Sequence, residues 1–279
     1  MSFLEKLSAA SRAKDSLLCI GLDPDPALMP KVDIFSFNRA IVDATADLVC
    51  AYKPNLAFYE AMGIDGMRAL AQTIEYIPKE IPVIGDAKRG DIGNTAQAYA
   101  RALFDVWGFD AVTVNPYLGL DALEPFLERG DKGVFVLCRT SNPGSADFQS
   151  ASLIKDADKK RGAPKPLYQW VALEVKERNV KGNAGLVVGA TYPLEIKDIR
   201  QLCPDMPLLI PGVGAQGGDL ASAVRFGLDR RGEGAIIAVS RQILYASKGK
   251  DFASAARREA IKLRDLINQY RRGAGSSPE

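Results

Sequence analysis

The stretch that best indicates the fold is Pro82-Val-Ile-Gly-Asp-Ala-Lys-Arg-Gly-Asp-Ile-Gly-Asn-Thr95. Its first residues form an apolar run, which is typical of a strand buried on both faces of a parallel sheet. Asp86 and Lys88 stand two apart, so in an extended strand their side chains project to the same side. Asp91 and Thr95 follow where a helix is predicted to begin. Such a concentration of charged side chains at the end of a buried strand indicates that they have a chemical role.

On both sides of this stretch, short apolar runs alternate with segments whose apolar residues recur at helical spacing. Eight such repeats in 279 residues predict an α/β fold, a closed (β/α)8 TIM barrel. We expect one domain over residues 1–270 and a disordered Gly- and Ser-rich tail over 271–279. The predicted strands are Ser16–Leu22, Val49–Lys53, Pro82–Lys88, Ala111–Val114, Gly133–Cys138, Gly185–Ala190, Pro207–Pro211 and Gly234–Val239.

The composition excludes several kinds of chemistry. The chain contains no histidine, which removes Ser-His-Asp and Cys-His arrangements, His-ligated zinc and histidine acid–base catalysis. A net charge of +2 gives no reason to expect nucleic acid or an anionic membrane as partner. The four cysteines lack C-x-x-C spacing, so we interpret them as core residues of a protein in a reducing cytoplasm. No apolar run is long enough to cross a membrane, and the N-terminus lacks the order of a signal peptide.

Functional side chains fall where a barrel would hold its active site. In parallel barrels, active sites form at the C-terminal ends of the strands. For each residue alone, a role in turns, in helix caps or as a solvated lysine stays open, but a set from several strands is harder to explain in that way. The residues at or just past predicted strand ends are Asp23, Lys53, Asp86, Lys88, Asn115, Ser141, Pro211 and Arg241.

Two later segments have distinctive patterns. Residues 210–219 are glycine-rich and run from the seventh strand into a helix, so their backbone N–H groups can hold an anion, aided by the helix N-terminus. Arg241 follows the eighth strand and can donate a fork of hydrogen bonds to phosphate, whose usual site in this fold lies after strands seven and eight. Residues 139–166 show no clear strand, which is typical of a lid or binding loop.

The stretch Val83–Thr95 resembles the D-x-K-x-x-D-I-x-x-x-T signature of the orotidine 5′-monophosphate decarboxylase family, in its longer bacterial branch. Supporting matches occur in the expected order over about residues 16–245. They are Gly21-Leu-Asp23, Tyr52-Lys-Pro-Asn55, Thr140-Ser-Asn-Pro-Gly144, Pro211-Gly-Val-Gly-Ala-Gln-Gly-Gly218 and Ser240-Arg241.

The resemblance implies a (β/α)8 barrel that converts orotidine 5′-monophosphate to UMP and CO2 in pyrimidine biosynthesis, without a metal or another cofactor. It makes Lys88 the general acid that protonates C6 of the pyrimidine, within a charged network of Asp86, Asp91 and Lys53. It also implies a homodimer in which Asp91 and Thr95 reach the neighbouring subunit's site. The implied substrate-binding residues are Asp23, Lys53 and Thr95 for the ribose, Ser141 for the pyrimidine, Gln216 and Arg241 for the phosphate, and Pro211.

Two other functions stay open. A metal-dependent 3-keto-gulonate phosphate decarboxylase shares a D-x-K strand on the same barrel, but it needs a further acidic ligand. Glu60 is a poor candidate because it lies seven residues past Lys53. A non-catalytic nucleotide-binding barrel is the second alternative, and the Asp-Lys-Asp set argues against it because a binding protein has no need for so much buried charge.

Overall fold

The computed structural model describes residues 1–154, 163–214 and 217–274. Its main sheet consists of β1 (Leu18–Leu22), β2 (Ala51–Pro54), β3 (Ile84–Arg89), β4 (Ala111–Val114), β5 (Gly133–Arg139), β8 (Ala184–Val188), β9 (Leu208–Pro211) and β10 (Ala235–Val239). All neighbouring pairs are parallel, in the order β2-β1-β10-β9-β8-β5-β4-β3. Parallel bridges from Tyr52 to Val83 and from Asn55 to Asp86 join the two ends. The predicted (β/α)8 barrel is therefore confirmed.

Helices surround this sheet. They are α1 (Phe3–Ala13), α2 (Ile34–Thr45), α3 (Leu56–Glu60), α4 (Gly63–Tyr76), α5 (Gly93–Arg101), α6 (Glu124–Leu127), α7 (Leu167–Arg178), α8 (Pro193–Leu202), α9 (Leu220–Gly227), α10 (Arg241–Leu244) and α11 (Phe252–Ala274). A π-helical turn, Ala102–Val106, continues α5. Because α11 runs to Ala274, the prediction that a disordered tail begins at Arg271 was wrong for residues 271–274. Residues 275–279 lie outside the described residues.

The long segment after β5 has some regular structure of its own. A 3-10 turn, Pro143–Asp147, is followed by β6 (Ser152–Leu153), which pairs antiparallel with β7 (Lys165–Pro166). The expectation that residues 139–166 contain no strand was therefore wrong at this small hairpin. Residues 155–162 lie outside the described part of the chain.

The N-terminal helix closes one end of the barrel. Phe3 of α1 is buried among the side chains that point into the barrel, and its ring meets that of Phe135 edge to face, with centroids 5.7 Å apart. Gly133, at the start of β5, makes room for it, because a Cβ there would lie 2.3 Å from the Phe3 ring. Since this end of the barrel is filled, a large cavity can open only at the C-terminal ends of the strands.

The cysteines pack as predicted. Their thiols are free and buried, at Cys19, Cys50, Cys138 and Cys203. Among the described residues, no helix has both the length and the apolar character needed to span a bilayer.

Candidate active site

An open cavity of about 720 Å³ lies at the C-terminal ends of the strands. Apolar side chains such as Val187 and Leu209 form part of its wall. Most of the residues predicted for the site also line it, although they come from distant parts of the sequence. These are Asp23, Lys53, Asp86, Lys88, Ser141, Pro211 and Arg241.

The Asp86 carboxylate is the centre of the charged cluster. Its Oδ2 accepts a hydrogen bond from Lys53 Nζ at 2.7 Å, and its Oδ1 accepts one from Lys88 Nζ at 2.6 Å. The Lys53 and Asp86 side chains are only 8% and 11% exposed, whereas that of Lys88 is 48% exposed. Lys88 is therefore the member of the cluster that can reach a ligand in the cavity.

The protonation of the buried pair follows from its surroundings. Burial alone would raise the pKa of Asp86, but the charges of Lys53 and Lys88 and the hydrogen bonds from both hold it well below its usual range. Burial likewise favours neutral Lys53, yet the Asp86 and Asp23 carboxylates outweigh it and raise its pKa above the usual range. Both groups are therefore charged at neutral pH.

A bulge in β3 brings Lys88 to this position. The pairing of β3 with β4 is regular at Gly85 and resumes at Arg89. Over the same interval β4 advances only from Val112 to Val114. Lys88 has a φ of 49°, in the left-handed region that non-glycine residues seldom adopt. Asp86 and Lys88 do meet, but the explanation from simple strand alternation was wrong.

Thr113 of β4 faces this bulge, and sequence analysis missed it. Its Oγ1 accepts a hydrogen bond from the Lys88 backbone N–H at 2.9 Å. The same hydroxyl donates to Asp86 Oδ1 at 3.0 Å. A single hydroxyl inside the otherwise apolar run Ala111-Val-Thr-Val114 was the available signal.

On the opposite wall, Tyr245 fixes the loop that carries Asp23. Its hydroxyl donates to the Asp23 carbonyl oxygen at 2.6 Å and accepts from the Asp25 N–H at 2.8 Å. Asp23 Oδ1 is buried and has no hydrogen-bond partner among the described residues. Asp23 itself lines the cavity, so its carboxylate lies beside the space for a ligand.

The predicted phosphate-binding face is present in part. Pro211 ends β9 and Arg241 begins α10, and both line the cavity. The Arg241 guanidinium is exposed and makes no hydrogen bond or ion pair with the described residues. Gln216 lies outside the described residues. The Asp219 carboxylate caps α9 by accepting from the N–H groups of residues 221 and 222. The anion contact expected for residues 210–219 stays a prediction.

Two predicted site residues, Asp91 and Thr95, do not line the cavity. The Asp91 side chain bonds to the backbone of the next residue: its Oδ1 accepts a hydrogen bond from the Ile92 N–H at 2.8 Å. Thr95 is exposed on α5, and neither residue lines the cavity.

Glu60, the weak candidate for a metal ligand, forms an ion pair with Arg89. The described residues contain no group of three or more Asp, Glu, Cys or His side chains placed to hold a metal ion.

Comparisons with known proteins agree with this arrangement. The model of the orotidine 5′-phosphate decarboxylase / HUMPS family matches residues 16–257. The chain belongs to this family. The orotidine 5′-phosphate decarboxylase of Dehalococcoides mccartyi is 54% identical, over 98% of this chain and 99% of that protein. The enzyme of the same name from Thermomicrobium roseum is 53% identical, over 98% and 97%. The solved structure of Leishmania donovani OMP decarboxylase superposes with a TM-score of 0.82, at 38% identity, over 97% of this chain and 99% of that chain.

For this member of the decarboxylase family, we predict that Asp86→Asn lowers the free energy of unfolding by about 3 kcal/mol at pH 7, because Lys53 is left buried without its counter-ion. Urea unfolding of the wild type and the variant measures this difference.

The pH dependence of the difference follows from the same carboxylate. The pKa of Asp86 is depressed in the folded state, so the stabilisation that its charge provides is complete above the unfolded pKa of about 4 and is lost as pH falls further. The difference between the two proteins should therefore be constant above about pH 4 and shrink below it.

The matched control is Asp65→Asn, which removes a carboxylate that is 88% exposed and paired with Arg68. We expect it to cost less than about 1 kcal/mol. Equal costs for the two substitutions would contradict the role given to burial of the Asp86–Lys53 pair.

Proposed function

We propose that this protein decarboxylates orotidine 5′-monophosphate to UMP and CO2 in pyrimidine biosynthesis, with Lys88 as the general acid. The observation that carries the proposal is the Lys88 ammonium, held 2.6 Å from Asp86 and half-exposed to the cavity. The names of the curated relatives support the same substrate. The free, buried cysteines support a reducing, cytoplasmic setting.

The reaction requires a cation beside the carbon that loses CO2. As the bond from C6 to the carboxylate breaks, its electron pair remains in an sp2 orbital on C6. No adjacent π system can accept this negative charge. A fixed ammonium stabilises this developing charge and then transfers a proton to C6. Lys88 becomes neutral in that step and regains a proton from solvent after UMP leaves.

We propose that the reaction uses no metal ion or organic cofactor. The positive charge and the proton that it needs are both present on Lys88, and Asp86 with Lys53 holds that side chain in place. Glu60, which a metal-dependent alternative would recruit, is paired with Arg89 instead.

The remaining contacts orient the substrate. Asp23 supplies a carboxylate at the cavity wall for the ribose, near Lys53. Arg241 supplies an exposed guanidinium for the phosphate, without a partner in the described part of the chain. The further assigned residues are Ser141 for the pyrimidine, Gln216 for the phosphate, Lys53 and Thr95 for the ribose, and Pro211 as a substrate-binding residue. Binding energy from these groups, remote from the bond that breaks, can be used to hold the reacting carboxylate against the charged cluster.

Asp91 and Thr95 are assigned to the partner's site in a homodimer. Both lie outside the cavity of their own subunit. Ile92, between them, is also exposed, with 58% of its surface accessible.

The central test follows the loss of orotate absorbance when pure protein meets orotidine 5′-monophosphate in the presence of EDTA. We expect turnover by the wild type and none detectable by Lys88→Ala, because the cation and the proton donor are gone. Both proteins should still bind UMP, measured by calorimetry. Activity that EDTA removes would favour the metal-dependent alternative, and near-normal activity of Lys88→Ala would refute the assigned general acid.

Arg241→Ala tests the phosphate site. We expect KM to rise about 10- to 100-fold, because a hydrogen bond to a charged group is worth about 1.5–3 kcal/mol, with a much smaller change in kcat. Steady-state kinetics measure both constants. Arg231→Ala is the control: this arginine is exposed, pairs with Asp229 away from the cavity, and should leave KM unchanged. An unchanged KM for Arg241→Ala would remove the guanidinium from the phosphate site.

Mixing two inactive proteins tests the shared site. In a mixed dimer of Lys88→Ala and Asp91→Ala, one of the two sites keeps both Lys88 and the partner subunit's Asp91, so random exchange should restore about a quarter of the wild-type sites. Lys88→Ala mixed with Asp86→Asn should restore none, because both residues serve their own barrel. Equal recovery in the two mixtures, or none in the first when mass analysis shows mixed dimers, would contradict the assignment.

A further inference from the structure

The bulge in β3 depends on one hydroxyl group from the neighbouring strand. We infer that Thr113 is a positioning residue, whose hydroxyl holds the backbone of Lys88 and the carboxylate of Asp86 in the geometry used for proton transfer. The inference rests on the proposed function, because it concerns how the assigned general acid is placed.

The bulge creates a need for this hydroxyl. Residues 86–88 of β3 are fitted opposite Thr113 alone, between the regular pairs at Gly85 and Arg89. In a regular strand the N–H of Lys88 would point away from β4, because its neighbour Arg89 faces β4 and accepts from the Asn115 N–H. The bulge turns the Lys88 N–H toward β4 instead, where it bonds to Thr113 Oγ1 at 2.9 Å. Thr113 Oγ1 is thus the acceptor that this N–H requires.

The direction of these bonds is fixed. A threonine hydroxyl has one proton, and the Lys88 N–H can only donate, so the hydroxyl proton is free to point at Asp86 Oδ1, 3.0 Å away. Asp86 Oδ1 also accepts a hydrogen bond from Lys88 Nζ at 2.6 Å. The contacts therefore form a closed ring that runs from the Lys88 backbone through Thr113 and Asp86 to the Lys88 ammonium.

This ring stabilises a backbone conformation that is otherwise unfavourable. Lys88 has a φ of 49°, and such residues persist only where their surroundings determine them. Thr113 is 1% exposed, so its hydroxyl is shielded from bulk water and shared between these two bonds. Without the hydroxyl, the Lys88 N–H loses its partner and the bulge relaxes, which moves the ammonium. The binding groups Asp23 and Arg241 follow other strands, β1 and β10, and stay in place.

The test compares Thr113→Val, which keeps the side-chain shape without the hydroxyl, with Thr113→Ser, which keeps the hydroxyl. We expect Thr113→Val to lower kcat about 10- to 100-fold, because misplacement by about 1 Å can cost a factor of 100. Its KM should stay within about threefold of wild type, and Thr113→Ser should keep a nearly normal kcat. The control is Thr73→Val, an equally buried threonine that bonds to Asn38 and to the Ala69 carbonyl on α4, where we expect no change in kcat.

A second readout does not depend on turnover. Amide hydrogen exchange should show a protected Lys88 N–H in the wild type and Thr113→Ser, and loss of that protection in Thr113→Val. If Thr113→Val does not fold, Thr113→Ala against Thr113→Ser makes the same comparison, since both lack the methyl group and only one has the hydroxyl.

Several outcomes would overturn the inference: a kcat of Thr113→Val within threefold of wild type, an equal loss in Thr113→Ser, or unchanged protection of the Lys88 amide. Failure of the proposed function is recognised separately, as a wild type that leaves orotidine 5′-monophosphate unchanged. In that case the exchange experiment still decides whether Thr113 holds the bulge.

Discussion

One carboxylate between two ammonium groups is the constraint on which the site depends. Asp86 binds Lys53 through one oxygen and Lys88 through the other. The pair with Lys53 is buried, and the opposite charge of each partner keeps the other group charged despite that burial. The pair with Lys88 is open to the cavity. A buried charge is tolerated only with a partner at close range. Lys53 therefore fixes the carboxylate, and the carboxylate in turn fixes the exposed ammonium.

The barrel meets this constraint by bringing distant residues to one rim. Phe3 of the first helix fills the N-terminal end of the barrel, so the interior is apolar and closed there. At the other end, β1, β2 and β3 stand side by side and place Asp23, Lys53 and Asp86 within one charged cluster. Arg241, after β10, is also adjacent because β10 pairs with β1. The closure of the sheet thus makes a single site from residues that are far apart in sequence.

Sequence patterns predicted the strands, and most of the site residues that they predicted do line the cavity, because apolar periodicity and position after a strand are local properties. They could not predict the bulge in β3, which depends on the register between two strands and appears only in the pairing with β4. Thr113 and Tyr245 were missed for a related reason, since each acts through contacts with other elements. The capping role of Asp219 could not be predicted either, because it depends on the residue at which α9 begins. Asp91 and Thr95 belong to a further class, because the interface proposed for them involves a second chain.

The arrangement of charge explains how such a site can favour the transition state over the substrate. Under the proposed function, the substrate brings its own carboxylate to a place where the Lys88 ammonium is already paired with Asp86. The attraction of the substrate carboxylate to the Lys88 ammonium is then offset by its repulsion from the Asp86 carboxylate. These contacts therefore contribute little binding energy to the bound substrate. As CO2 departs, the negative charge moves from the carboxylate to C6, the repulsion declines and the attraction to the ammonium remains. An interaction that strengthens only as the bond breaks lowers the barrier, whereas one that is equally strong in the bound substrate does not. The same logic requires that the ammonium be held in place before the substrate arrives, which is why the backbone of Lys88 is fixed as firmly as its side chain.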